Sequence, residues 1–396
     1  MEQTQKYQYS SKKEYSLINK KIVSNLRKEH ESKQNSIYYT INVEYYGPYQ
    51  LYYVVIPADY LRQLKTLRKR KEDIFSKGKI LTFSKENNNF SFDAVIDSTE
   101  YNYAYLVPIQ EKYRYSRKSR IVGRYIVNER TGDLTYYRMD QAINAFIGEN
   151  CCSKNIQKFI LGEKIENNVF NRELKYIFNY NKYYMASING FAELTKFQES
   201  QMKKIFYNEM NTIQINSKSD KKLICLIIYA IYKVRNNTKD KILVCSSSNS
   251  VADSISLDLL EMKSFVKDFE ILRIYAKNQE IIKRNKKLKE ISFHQLKRKN
   301  YKQKFKDRYE KRDWIINNRD IIVSTCVNSY NDDIINCHFP FVIIIDANNS
   351  TENENLIPIT LKARHVVLIS YDESDNDELN LYKRMNRLYP AIHSNI

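Results

Sequence analysis

Five short runs in the C-terminal half of the chain, KILVCSS, ILRIYA, DIIVSTCV, FVIIID and HVVLIS, are almost continuously apolar and do not alternate with polar residues. A strand with one wet face alternates with a period of two, whereas a strand dry on both faces does not. Between the runs, apolar residues recur at helical spacing over Glu193–Asn208, Leu223–Val234 and near Ser250–Leu260. Strand and helix in alternation imply an α/β fold, a parallel sheet covered by helices on both sides.

The chain ahead of this region reads differently. Residues 1–35 are polar and lysine-rich, a basic arm or stalk with a helix expected over Tyr15–Glu29. Over 36–134 come short β-type runs, IYYTINVEYY, LYYVVI, KILTFS, FSFDAVI, YAYLVPI and RIVGRYIV, separated by GPY, SKGK and ENNN turns. They predict a small antiparallel sheet or barrel with a helical insertion around Asp59–Phe75. Residues 135–190 are expected to return the chain, with a helical stretch over Thr135–Ile165. The domain after 191 then carries a basic helical insertion at about 281–318.

Composition narrows the function. Lys and Arg number 65 against 46 Asp and Glu, a net charge of +19 that suits a polyanionic partner. Between Lys283 and Arg312 there are fourteen basic residues and three acids. Such a run is either a solvated insertion or a prong beside a nucleic-acid channel, where Lys297, Arg298 and Lys299 would meet phosphates. No apolar run approaches the ~20 residues that span a bilayer, and the N-terminus lacks a signal-peptide core, so a soluble, cytoplasmic protein with no membrane partner is expected. The six cysteines form no CxxC pair and no Cys/His quartet, so neither a zinc site nor a disulfide framework is expected. The five histidines form no recognisable relay with Ser or Cys, and no catalytic residue is assigned. Glycine is the scarcest informative residue: of seven, the last is Gly190. A phosphate-cradling loop generally uses glycine to converge backbone N–H groups on the anion, so the C-terminal half cannot build one in its usual form.

The stretches LTKFQESQMKKI, LVCSSSNSVADSI, DIIVSTCV, FVIIIDANNS and LIPITLKARHVVLIS, in that order, resemble the first RecA-like motor domain of the superfamily 1 RNA helicases, specifically the up-frameshift family of nonsense-mediated mRNA decay. TYYRMDQAINAFI is similar to the family's returning stalk, and the β-rich region to its inserted barrel. The resemblance therefore implies a RecA-like parallel-sheet domain with an antiparallel β-barrel inserted on helical stalks. It also implies functional positions. Gln201 falls where the family holds the adenine ring, Lys221 at its phosphate-loop lysine, and Asp346 at its magnesium ligand. Ser248, Asn249, Thr325 and Cys326 fall where the family contacts the RNA backbone. The competing reading of these Ser, Thr, Asn and Asp residues is that they cap the elements beside them.

Three departures from the family matter. The phosphate-loop stretch reads Gln214-Ile215-Asn216-Ser217-Lys218-Ser219-Asp220-Lys221-Lys222, with no glycine and with Lys222 at the magnesium-binding hydroxyl position. The catalytic glutamate position after Asp346 is Ala347, which has no acid–base chemistry. The sensor loop reads Ser370-Tyr371-Asp372-Glu373-Ser374 in place of Gly-Asp and Gln. The family's zinc domain and second RecA-like domain are expected to be missing, so unwinding by this chain alone is not expected. Three readings remain open. The first is an RNA- or ribonucleoprotein-binding relative without ATPase activity and without a cofactor. The second is a helicase subunit that binds ATP and magnesium weakly through Gln201, Lys221 and Asp346 when another chain completes it. The third is a protein-interaction scaffold, or a decayed fragment with no selected role. mRNA decay factors are candidate protein partners on the first two.

Overall fold

The computed structural model describes residues 8–34, 39–46, 51–59, 61, 75, 80–85, 90–108, 121–129, 133–148, 150–164, 177–179, 188–215, 221–276, 279–280, 285–299, 301, 305–371 and 380–395. Three expectations fall largely outside them: the helical insertion over Asp59–Phe75, the phosphate-loop stretch 216–220, and the sensor loop beyond Tyr371. The chain divides into two compact units, one of Met1–Val23, Leu134–Tyr275 and Asn285–Ile396, the other of Ser24–Asp133 and Ala276–Arg284.

The smaller unit holds a closed antiparallel barrel with strand order β1-β2-β5-β4-β3-β6: β1 Tyr39–Tyr46, β2 Leu51–Val55, β3 Ile80–Ser84, β4 Ser91–Glu100, β5 Tyr103–Pro108 and β6 Gly123–Glu129. β6 pairs back onto β1 from Tyr39↔Val127 to Val43↔Gly123, so no strand edge is left open. Strict alternation drives it. Ile41, Val43, Tyr52, Val54, Ala104 and Leu106 point inward while Asn42, Glu44 and Val55 lie outside. Phe83 stacks on Phe92 at 4.9 Å, and Tyr125 meets Phe92 edge-on at 5.3 Å, which fills the interior with rings. The register of β4 slips between Ile96 and Ser98, a bulge of the kind that bends strands in small barrels.

The larger unit is built on a seven-stranded parallel sheet, ordered β13-β7-β12-β11-β8-β10-β9. Its strands are β7 Met210–Gln214, β8 Ile242–Ser246, β9 Ile271–Arg273, β10 Ile321–Thr325, β11 Phe341–Ile345, β12 His365–Ser370 and β13 His393–Asn395. The apolar runs explain themselves here. Ile242, Val244, Ile343, Ile345, Val367 and Ile369 pack on one side with the helices Lys221–Val234 and Asn249–Val266. Leu243, Cys245, Val342, Ile344, Val366 and Leu368 pack on the other with the helices Lys154–Leu161, Glu352–Ile359 and Leu381–Leu388. The strand β7 carries no such run, since MNTIQ holds three polar residues, Asn211, Thr212 and Gln214. Asn211 is tolerated in the core because its amide donates to the Ile205 and Asn208 carbonyls at 3.0 and 2.8 Å.

Several helices differ from expectation at their ends. The N-terminal helix runs Lys12–Gln34. The expected Thr135–Ile165 helix is two, Asp133–Ile147 and Lys154–Leu161. The break is fixed by Ser153, whose hydroxyl caps the Ile156 N–H at 3.1 Å, and by Cys152, which bridges to Ala363 beside β12. Thr195 and Gln198 form a capping box, so the next helix spans only Lys196–Lys203 before a 3₁₀ turn, Lys204–Phe206. In the basic region the described helices are Lys286–Ile291, Phe293–Arg298 and Arg308–Asn317. Among the described residues, no helix is long and apolar enough to cross a membrane.

Three polar side chains, Arg384, Glu352 and His365, are fully buried in the larger unit with hydrogen bonds to other elements. Arg384 and Glu352 are both at 0% side-chain exposure, joined at 2.6 and 3.0 Å, and Arg384 also donates to the Ile160 carbonyl at 2.8 Å. That one guanidinium therefore ties three helices of one core layer. His365, at the start of β12, is fully buried with one ring nitrogen 2.7 Å from the Ile205 carbonyl, and its Nδ1 has no partner. A proton added at Nδ1 would be stranded, so burial lowers the imidazole pKa to about 4 against a weaker opposing effect of that carbonyl.

Arg384→Ala strands the Glu352 carboxylate and should cost about 3–5 kcal/mol in urea unfolding, whereas Arg384→Met combined with Glu352→Leu should cost far less. Equal losses would contradict a paired-charge role. For His365, the folded value lies below the ordinary ~6.5, so only the unfolded chain takes up the proton between those values. Stability is unaffected above about pH 6.5 and should fall by about 3 kcal/mol by pH 4, and a His365→Gln variant should lack that fall in urea midpoints measured across the range.

Candidate functional site

All seven strands of the larger sheet are parallel, so their carboxyl ends lie along one edge, where loops of such a sheet present ligand-binding groups. Ser247–Asn249 leave β8, Arg273–Tyr275 end and leave β9, Thr325–Asn328 end and leave β10, Asp346 leaves β11 and Tyr371 leaves β12.

The loops of β8, β9 and β10 are tied into one network. Arg273, at 0% exposure, donates to Asp253 Oδ1 at 2.9 Å, to Asn249 Oδ1 at 2.8 Å and to the Ile274 carbonyl at 2.8 Å, and lies 4.0 Å from the Tyr275 ring centroid. Asn328 reaches the Ile274 carbonyl and Ser324 Oγ at 3.4 and 3.2 Å, and Arg138 donates to the Val327 carbonyl at 3.2 Å. Burial lowers the Arg138 pKa, with the nearby Asp332 opposing. Cys326 N–H donates to the Ser246 carbonyl at 2.9 Å, which joins the loops of β8 and β10 directly.

The proposed contact residues are distributed over this network. Ser248 caps the Asn249–Val266 helix at the Val251 N–H, 3.3 Å away, and its hydroxyl also lies 2.9 Å from Ser250 Oγ. Asn249 is held by Arg273. Thr325 Oγ1 accepts the Asn328 N–H at 3.3 Å. Cys326 turns its thiol into the core at 1% exposure, where the hydrogen bond with the Cys245 thiol and burial raise its pKa far above the ordinary range. Lys297, Arg298 and Lys299 are exposed at the end of the Phe293–Arg298 helix. Lys297 lies 4.7 Å from the Phe293 ring centroid and 3.6 Å from Asp333, which belongs to the segment that follows the β10 loop. The basic tip is thereby anchored beside that loop.

On the other side of the edge, Lys221 opens the Lys221–Val234 helix after β7. Lys222 pairs with Glu261 at 2.8 Å and sits 4.8 Å from the Phe191 ring centroid. Burial raises the Asp258 pKa against the positive charge of Lys221, and Asp258 Oδ2 is buried with no hydrogen-bond partner. Tyr371 is pushed well above its ordinary value by burial, with Cys225, Asp258 and Asp346 adding to the shift. Lys221 and Lys222 therefore lie beside the carboxylates Asp258 and Glu261. Asp346 sits in the left-handed region (φ 61°), accepting from Ser247 Oγ at 3.0 Å and from Asn349 Nδ2 at 2.7 Å. Ala347 beside it is at 0% exposure. Gln201 is not brought to Asp346. Its helix packs at β13, where its carbonyl accepts from Ser394 Oγ at 3.3 Å, and β13 lies three strands from β11, roughly 14 Å at ~4.8 Å per strand.

Arg138, Ser247, Arg273 and Asn328 were not singled out by sequence reasoning. Arg273 had a signal, because a charge inside the run ILRIYA must be paired if the run is buried. The others carried none.

Comparison with known proteins follows the same stretch of chain. Residues 274–369 match the AAA domain family. Over 259 residues the chain is 24% identical to the ATP-dependent helicase NAM7 of Saccharomyces cerevisiae (strain ATCC 204508 / S288c), covering 59% of this chain and 25% of the yeast protein. The chain thus matches about a quarter of the length of that relative. Among solved structures, the UvsW helicase from bacteriophage T4 overlays with a TM-score of 0.34 and 12% identity across 90% of this chain and 98% of that one.

Proposed function

We propose that this chain is a relative of the up-frameshift superfamily 1 helicases, which its 24% identity to the yeast helicase NAM7 supports, and that it binds RNA through the loops of β8 and β10 and the basic tip Lys297–Lys299, without hydrolysing ATP. One observation carries the second half of the reading. The position that would polarise an attacking water is Ala347, sealed in the core, and the carboxylate before it already accepts two hydrogen bonds from its own chain. The charges around Lys221 point the same way. Lys221 and Lys222 are balanced by Asp258 and Glu261, which leaves no surplus of positive charge for a triphosphate, and Lys222 is engaged by Glu261 where a magnesium-binding hydroxyl would be needed. These residues fit a magnesium-bound triphosphate poorly.

The RNA half rests on charge and placement. Exposed cations anchored beside a polar loop edge can neutralise phosphates, while the loop serines, threonine and asparagine offer uncharged contacts to the backbone. Partners would be RNA or ribonucleoprotein, with mRNA decay factors as protein partners and the cytoplasm as the place of action.

RNA affinity should fall steeply with salt. Replacing Lys297, Arg298 and Lys299 with alanine should flatten the log–log slope for a single strand by about 2, at ~0.7 per phosphate lost. A salt-independent affinity, or an unchanged slope, would overturn the reading. In an RNA-stimulated ATPase assay, the natural chain and Lys221→Ala should both stay at the buffer rate; turnover that disappears in the variant would instead establish a working nucleotide site completed by another chain.

A further inference from the structure

Each residue of the loop Ser246–Asn249 has its own attachment. The Ser246 carbonyl accepts the Cys326 N–H at 2.9 Å, and its hydroxyl donates to the Ser248 carbonyl at 2.8 Å. Ser248 caps its helix, and Asn249 is held by the buried Arg273 at 2.8 Å. Ser247 is attached through a single described side-chain bond, its hydroxyl donating to Asp346 Oδ2 at 3.0 Å. The carboxylate end of that bond is fixed in turn. Asp346 closes the 3₁₀ turn Ala347–Asn349, its carbonyl accepting the Asn349 N–H at 3.0 Å and its Oδ1 the Asn349 side-chain amide at 2.7 Å. The turn is pinned twice more, by Asn355 Nδ2 on the Ala347 carbonyl at 3.0 Å and by Asn380 Nδ2 on the Asn348 carbonyl at 2.6 Å.

We propose that Asp346 is a positioning residue for the RNA-facing loop after β8, holding Ser247 from the rigid turn after β11, and that it is not a metal ligand in this chain. This inference rests on the RNA-binding reading. The Ser247 hydroxyl takes one lone pair of Oδ2 and the Asn349 amide one of Oδ1, so both oxygens of the carboxylate already serve as hydrogen-bond acceptors within the chain. With a non-acidic Ala347 beside it, the carboxylate is left to act as a hydrogen-bond acceptor. The bond joins the turn after β11 to the loop after β8.

The test compares Asp346→Ala, Asp346→Asn, Ser247→Ala and the Asp346→Ala/Ser247→Ala double variant of the full chain, read by RNA affinity and by amide hydrogen exchange over residues 246–249. Loss of one charge-assisted bond predicts about a tenfold weaker affinity in each alanine variant and no further loss in the double variant, because both remove the same contact. Asp346→Asn keeps an oxygen for Ser247 while the Asn349 amide can turn over to accept, so affinity and exchange should stay within about twofold of the natural chain. Exchange over 246–249 should accelerate in both alanine variants without RNA present. Unchanged affinity in Asp346→Ala, additive losses in the double variant, or a loss in Asp346→Asn equal to that in Asp346→Ala would each overturn the proposal. If Asp346→Ala fails to fold, Ser247→Ala tests the same bond from the surface side. If the natural chain binds no RNA, the RNA reading fails, and the exchange measurement alone decides whether Asp346 holds the loop.

Discussion

The requirement that a parallel sheet be dry on both faces governs the larger unit. Seven strands direct alternate side chains into two separate apolar layers, and each layer must be closed by helices. Burying that many side chains on two sides, at ~25 cal/mol per Å² of apolar surface, dominates the free energy of such a unit. It also fixes where chemistry can occur. Helices occupy both faces, so the carboxyl edge of the strands is where loops from β8, β9, β10, β11 and β12 meet.

The buried arginines Arg384 and Arg273 inside this arrangement are paired. Arg384 with Glu352 joins three helices in one layer, and Arg273 joins β9 to the helix after β8. A buried charge without a partner would cost several kcal/mol, so these arginines specify which helix turns may sit beside them. The edge loops inherit that order. Asn249, Asn328 and Val327 are held by arginines from below or beside the sheet, which makes the loop surface a preformed shape. By contrast, the region around Lys221 brings together cations and carboxylates in near balance, with one buried Asp258 oxygen unsatisfied.

Much of this was legible from residue order. The non-alternating runs gave five of the seven parallel strands, and the alternating runs gave the barrel, because the period of burial is set by the strand itself. The strand β7 was hidden because MNTIQ is polar, and Asn211 becomes a core residue only once the Ile205 and Asn208 carbonyls are brought to it. The single helix expected over Thr135–Ile165 divides because Ser153 caps a new helix and Cys152 pairs with Ala363, a residue more than two hundred positions away. At the site, the sequence placed Ser248, Asn249, Thr325 and Asp346 at strand ends. It left open whether Ser248 is a cap, and it could not show that Cys326 faces the core or that the helix of Gln201 packs at the edge strand β13.

Sequence alone determined the parallel sheet and the antiparallel barrel, the strong positive charge, the absence of glycine after Gly190 and the methyl side chain at Ala347, since each is a property of residue type and local period. Tertiary structure alone decided which polar side chains are spent on holding the fold and which remain on the surface. The reason is physical: hydrogen-bond partners such as Ser247 with Asp346, Asn249 with Arg273 and Arg384 with Glu352 lie 99, 24 and 32 positions apart, and only packing brings them within reach.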